Sequence, residues 1–255
     1  LSFIFGGVDT NSLAGVTATL VEWPSLGGLS LETEDTEGRD ARYFYGASQS
    51  HTAFTFDVLI EGSTPEQAAE RRDNFVGLIA PHRGAQSLIA ELDTAWQWWE
   101  VMVSGQIDWR RAGWHRGKSF TLRADVSFET VGDAAAMEAE QVPVSFASSL
   151  SFTLDRGNTV AYPQIEFPSG AQATVKVGGF EVVVSATTSG RTNVLDYQAM
   201  EFYQKDATTG ARLASIVRFM SHFRRASFTP GQTVSVSVPG APTGSRRLYA
   251  NARRI

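Results

Sequence analysis

Short runs in which apolar and polar residues alternate, separated by turn-forming residues, constrain this chain more than any other feature. In Phe120, Leu122, Ala124, Val126 and Phe128 every second residue is apolar, and the residues between them are polar or charged. A strand sends successive side chains to opposite faces, so this period predicts a half-buried strand. Ala53 to Glu61, rich in Phe, Val and Ile, reads the same way. Val16 to Trp23 is a further strand stopped by Pro24, and Ser87 to Leu92 and Trp98 to Trp109 are the next strand candidates. The 23 glycines and 9 prolines scattered among such runs supply the turns of a mainly β chain.

One segment departs from this period. At Thr64-Pro65-Glu66-Gln67 the threonine hydroxyl can cap a free N–H, proline suits a first helical turn, and the glutamine can close a capping box. Ala68, Phe75, Val76 and Ile79 then share one helical face, and Pro81 and Gly84 end the helix. Mainly β with one notable helix is therefore the expected class.

At 255 residues, about two domains are expected. Charge divides along the same line. Residues 1–140 carry 21 acidic and 10 basic groups, a net of −11, whereas residues 141–255 carry 6 and 12, a net of +6. An acidic half does not grip nucleic acid, because that binding is driven by counterions released around Lys and Arg. The Ala/Glu-rich stretch Asp133 to Glu140 marks the junction. Beyond it, Val175–Val177, Phe180–Thr187, Ile216–Phe219 and Val234–Val238 are short β-type runs separated by turn residues, the signature of an antiparallel sandwich.

Catalytic signatures are sparse. The chain contains no cysteine, which removes disulfides, zinc-thiolate sites and thiol nucleophiles. His51, His82, His115 and His222 are far apart and form no metal-binding spacing, so neither a metal nor a cofactor is expected. There is no G-x-S-x-G elbow, Walker sequence or dinucleotide fingerprint. No run approaches the roughly 18 to 20 apolar residues of a bilayer span, and Leu1 to Gly7 lacks the charged and apolar regions of a signal peptide. A soluble, non-enzymatic protein without membrane insertion is expected.

One chemical alternative stays open: a sugar-processing or sugar-binding cleft built from Glu91, Asp93, Trp96, Trp98, Trp99 and Glu100. Tryptophans spaced through alternating strands more often fill a core or an interface. Arg110, Arg111, Arg116 and Lys118, interleaved with Trp109 and Trp114, resemble a single-strand nucleic-acid patch, but the acidic surroundings favour a hairpin loop. Arg224-Arg225, Arg246-Arg247 and Arg253-Arg254 are read as solvated or subunit-facing. Glu32, Glu34, Asp35, Glu37, Arg39 and Asp40 belong to a polar, turn-rich segment that is expected to project as a hairpin or loop.

The order of features resembles the siphophage distal tail protein family, especially its forms in phages of actinobacteria, over most of the chain. The likeness rests on Phe3-Ile4-Phe5-Gly6-Gly7-Val8-Asp9, on Gly38-Arg39-Asp40, on Phe54 to Gly62 leading into Glu70-Arg71-Arg72-Asp73-Asn74-Phe75, on Gly157 to Ile165, and on Phe228-Thr229-Pro230-Gly231-Gln232-Thr233-Val234. The resemblance implies a β-rich, split-barrel-like belt domain over residues 1–135, a linker over 136–145 and a galectin-like β-sandwich over 146–255, with the last residues free to return to the first domain. It further implies a homohexameric ring at the distal end of the virion tail, assembled in the host cytoplasm. This ring would join the tail tube protein to the tail-tip hub protein and pass genomic DNA without binding it specifically. The acidic loop from Glu32 and the Trp109–Lys118 loop are its expected axial contacts. All six tryptophans precede residue 115, so the expected sandwich has none to stack on a sugar. A host-surface carbohydrate-binding module using Trp98 and Trp99 is the alternative function, and a plain tail-tube subunit a third.

Overall fold

A computed structural model describes residues 2–22, 29–34, 43–49, 51–115 and 119–255. Residues up to Ala139 form one compact unit and Glu140–Arg254 a second.

The first unit contains β1 (Phe3–Phe5), β2 (Val8–Asp9), β3 (Val16–Glu22), β4 (Leu29–Glu34), β5 (Tyr43–Gln49), β6 (Ala53–Gly62), α1 (Pro65–Ile79), β7 (Gln86–Ala90), β8 (Trp96–Ser104), β9 (Arg110–His115), β10 (Ser119–Thr130) and β11 (Ala136–Glu138). Its main sheet runs β2-β1-β7-β8-β10-β6-β3, with β9 added to β10 and β11 to β8. The alternation read in the sequence sets the register. Ala124, Val126 and Phe128 of β10 stand opposite Val58, Phe56 and Phe54 of β6, and all six are buried. Phe3 nucleates an aromatic cluster on that face, 4.3 Å from Phe56 and 5.4 Å from Phe128 between ring centroids.

Helix α1 covers this cluster, with the Phe75 ring edge-on to Phe3 at 6.5 Å and to Trp109 at 6.2 Å. Its start is the expected one, because the Thr64 hydroxyl accepts from Gln67 N–H at 3.2 Å. The return bond differs: Gln67 Oε1 accepts from the backbone N–H of Ser63 rather than that of Thr64. Gly62 makes the strand-to-helix turn possible, since a Cβ there would lie 2.5 Å from Ala68 N and 2.9 Å from Thr64 O.

Several sequence expectations need correction. Leu78, not Val76, completes the buried helical face with Ala68, Phe75 and Ile79; Val76 is half-buried at its margin. Strand β8 begins at Trp96 and stops at Ser104, because Gly105 follows with φ +72° and breaks the run towards Trp109. Residues 136–138 of the expected linker form β11, which pairs Met137 with Gln97 and Glu138 with Trp96.

The second unit contains β12 (Val144–Phe146), β13 (Ser149–Thr153), β14 (Gln164–Pro168), β15 (Ala173–Val177), β16 (Phe180–Val184), β17 (Arg191–Asp196), β18 (Glu201–Asp206), β19 (Arg212–Ser215), β20 (Thr233–Ser237) and β21 (Arg246–Tyr249). Two antiparallel sheets result, ordered β12-β21-β14-β17-β18-β19 and β13-β20-β15-β16. Ile165, Phe167, Leu195, Phe202 and Leu248 bury one face of the larger sheet, and Val175, Val177, Val182, Val184 and Val236 one face of the smaller. Two sheets, each with an apolar face, are the elements of a two-layer β domain. Ile216–Phe219 is not a strand. Val217–Phe219 form a 3-10 turn, in which the buried Ile216 and half-buried Phe219 fall three residues apart, the spacing of that turn.

The paired arginines of this unit are also not simply solvated. The buried Arg246 guanidinium donates to the carbonyls of Ala147, Gly244 and Ala241. Arg253, 8% exposed, donates to Val160 O at 3.0 Å. Arg225 lies 3.6 Å from the Tyr162 ring centroid and donates to Tyr197 O and Gln198 O. Arg225, Arg246 and Arg253 therefore tie loops together.

Candidate assembly surface

Strands β4 and β5 form a sheet of their own, with Leu31 opposite Ala47, Glu34 opposite Tyr43 and a bulge between Glu32 and Thr33. Leu31, Glu32, Thr33 and Glu34 are all exposed, and Leu31, Tyr43 and Tyr45 leave 56%, 46% and 65% of their surface open. The Tyr45 hydroxyl donates to Glu34 Oε2 at 2.5 Å, and that bond raises the phenol pKa. A lone two-stranded ribbon is marginally stable in water, and its outer edges offer unpaired N–H and C=O groups. Exposed tyrosines and leucine on such a ribbon are suited to contact with another protein surface. Asp35, Glu37, Arg39 and Asp40 lie outside the described residues.

The second expected contact is a hairpin. Strand β9 pairs with β10, placing Arg110 opposite Arg123 and Arg111 opposite Leu122. Arg110, Arg111, Arg123 and Asp125 line a shallow groove of about 400 Å³. Arg123 donates to Asp57 at 2.7 Å, and that hydrogen bond raises its already high pKa. Arg111 reaches over the Phe120 ring at 5.6 Å from its centroid. The structure thus gathers Arg110 and Arg111 on an arginine-lined strand pair, while Glu32 and Glu34 belong to the separate ribbon. Arg116 lies outside the described residues.

The proposed sugar cleft does not assemble. Trp98 is 5% exposed and stands edge-on to Phe54 in the core, out of reach of a surface ligand; its neighbour Trp99, 47% exposed, points the other way, as strand alternation requires. Glu91 accepts from the backbone N–H and the hydroxyl of Ser2, and these bonds lower its pKa. It therefore anchors the start of the chain instead of pairing with a second carboxylate. Among the described residues no group of three or more His, Asp or Glu could hold a metal ion. No helix among them is long and apolar enough to cross a membrane.

Sequence reasoning missed Leu31, Tyr43 and Tyr45 as contact candidates. Their signal was present, since apolar and aromatic residues flank the acidic run on both sides, but the charged residues of the projecting segment alone were taken as its contacts. It also missed Glu166, whose burial depends on side chains from distant strands.

Neither family models nor curated protein sequences give a match to this chain. Solved structures do. The crystal structure of the Dit (gp 19.1) protein of phage SPP1, described as a paradigm of the hub adsorption apparatus in phages infecting Gram-positive hosts, superposes with a TM-score of 0.72 at 10% identity, covering 100% of this chain and 99% of that one. A chain of the phage P2 baseplate in its activated conformation with Ca gives 0.53 at 9% identity over 97% and 93%. A chain of the same baseplate with Sr gives 0.51 at 10% identity over 97% of each. The chain has the fold of the phage distal tail (Dit) proteins.

Proposed function

We propose that this protein is a structural, non-enzymatic component of the distal tail of a long-tailed phage. In this reading it forms a homohexameric ring that joins the tail tube protein to the tail-tip hub protein and surrounds the passage for genomic DNA. The observation that carries the proposal is the likeness to the SPP1 Dit protein, which covers 100% of this chain and 99% of that one. In this reading the first unit is the ring-forming belt and the second a galectin-like docking platform.

The exposed side chains of the β4–β5 ribbon and the exposed Arg110 and Arg111 of β9 support this reading, because each element presents open surface among the described residues. Glu32, Glu34, Arg110 and Arg111 are the proposed axial contacts with neighbouring rings. The net charge of −11 over residues 1–140 supports a second element. Acidic groups around the passage repel the phosphate backbone and let DNA slide.

Negative-stain electron microscopy of the purified protein, averaged without imposed symmetry, tests the ring. Six-fold particles with a central hole are expected, and another symmetry at high protein concentration overturns the hexamer. A reconstruction with a strongly positive lumen overturns the sliding role of the acidic half.

A further inference from the structure

Strand β9 is an edge: it pairs with β10 and, among the described residues, with no other strand. Arg110, Arg111, Ala112 and Gly113 are exposed along it. A Cβ at Gly113 would meet nothing within 4 Å, so the backbone there is open to an approaching chain. An open edge offers N–H and C=O groups to a further strand, and native proteins commonly guard such edges with charge or a bulge. Strand β9 has both, its register slipping where it passes Thr121 and Leu122 of β10.

The charge on this edge is unbalanced. Arg110 stands directly opposite Arg123, and like charges directly opposite each other on neighbouring strands are destabilising. Arg123 has counter-ions of its own: it donates to Asp57 at 2.7 Å, and Asp125 also favours its charged form. Arg110 makes no hydrogen bond or ion pair among the described residues. A half of the chain with a net charge of −11 thus keeps, on an open edge, a guanidinium that its own fold does not neutralise.

A carboxylate on an incoming strand matches these groups. The guanidinium is a planar fork of donors that fits a carboxylate through two bonds, and main-chain pairing along β9 puts every second side chain of the incoming strand on the face that carries Arg110. Duplex DNA fits less well. It carries one negative charge per ~1.7 Å and runs on past this strand to the surrounding carboxylates, whereas a short segment feels only charges within a Debye length of about 8 Å. A basic strand would add to the repulsion between Arg110 and Arg123, so the edge rejects the wrong sign as well as attracting the right one.

We propose that β9 is a strand-addition site for an acidic extended segment of a neighbouring tail protein, with an Asp or Glu of that segment paired to Arg110. The proposal rests on the tail role given above and supplies the chemistry of the partner that the β9–β10 hairpin meets.

The test is an amide-resolved NMR titration of the full chain with two synthetic peptides, one of alternating glutamate and threonine and one of alternating lysine and threonine. Inorganic phosphate and a short DNA duplex are titrated separately. The acidic peptide is expected to shift the amides of Arg110 to Gly113. Arg110→Glu should weaken that binding by about tenfold or more and transfer the shifts to the lysine peptide. Thermal unfolding adds a readout that needs no ligand: Arg110→Thr should match or exceed the wild-type midpoint, because it removes the repulsion opposite Arg123. A lower midpoint would show that Arg110 serves the fold and overturn the proposal. Phosphate or the duplex binding as tightly as the acidic peptide would overturn it too, making the edge a general anion site. So would equal shifts from both peptides, or none from either through the millimolar range. Because the titration needs no ring, its failure leaves the six-fold imaging test untouched, and images without six-fold rings leave a positive titration standing.

Discussion

The Trp98 ring stands edge-on to Phe54, with centroids 4.7 Å apart and ring planes at 74°, inside the aromatic core of the first unit. Its position makes Trp98 a packing residue and separates it functionally from Trp99, the adjacent residue on the opposite face. Trp98→Ala is expected to destabilise the first unit by about 3–5 kcal/mol, the usual cost of removing a buried aromatic ring. Trp99→Ala should change folding stability by less than about 0.5 kcal/mol. Chemical denaturation followed by tryptophan fluorescence and by circular dichroism measures both, and equal effects would contradict the assignment of the two faces.

Gly62 ends β6 where α1 begins. Any side chain at this position meets backbone atoms of Ala68 and Thr64, which cannot swing aside as a flexible side chain would. Gly62→Ala is therefore expected to cost about 1–3 kcal/mol through forced backbone movement. The loss should appear as a lower denaturation midpoint with an unchanged slope, and a neutral result would mean that the turn relaxes more freely than its contacts suggest.

The parts of this fold that were legible in the sequence are those whose cause is local. Period-two alternation placed β6 and β10, and Thr64-Pro65 placed the start of α1, because strand pleat and helix capping act over a few residues. Leu78 was missed because it and Val76 stand at opposite margins of the face made by Ala68, Phe75 and Ile79, and the helical period alone does not say which margin meets the sheet. Glu166 and Arg253 were illegible for another reason. A charged residue in an alternating strand or at a chain end normally meets solvent, and partners far along the chain bury these two. The candidate contact surfaces were half visible: the charges and turn residues of the β4 segment announced a projecting hairpin or loop, whereas the exposure of Leu31, Tyr43 and Tyr45 on it runs against the usual burial of apolar and aromatic strand residues.

The ribbon itself gives a prediction that separates assembly from folding. Leu31 and Tyr45 lie outside the core of the first unit and are 56% and 65% exposed. Replacing both by serine should leave the unfolding midpoint of the isolated subunit nearly unchanged. Association of the proposed ring with a neighbouring tail ring, read by multi-angle light scattering of the mixed proteins, should be lost because apolar contact area at that axial interface disappears, while the subunit's own assembly persists. A mixed complex that persists with wild-type stability would remove the β4–β5 ribbon from the axial contacts and leave the β9–β10 hairpin as the surface to test next.

The turn after β18 supplies a pH-dependent prediction. The Asp206 carboxylate accepts from the N–H groups of Thr209 and Thr208, and these bonds hold its pKa below the usual carboxylate range. A depressed folded-state pKa means that the ionised form binds the turn better than the neutral form does. Its stabilisation is therefore complete above the unfolded-state pKa and is lost as pH falls through the lower, folded-state value. On acidification the Thr208 and Thr209 amides should keep their native NMR shifts through the ordinary range of carboxylate titration and move only below it. Asp206→Asn, which cannot ionise, should remove that step. Loss of the native shifts already at the ordinary carboxylate pKa would show that the two N–H bonds do not favour the charged form, and the turn would then owe its shape to the Gly210 N–H bond to Asp206 O and to the positive φ of Gly210.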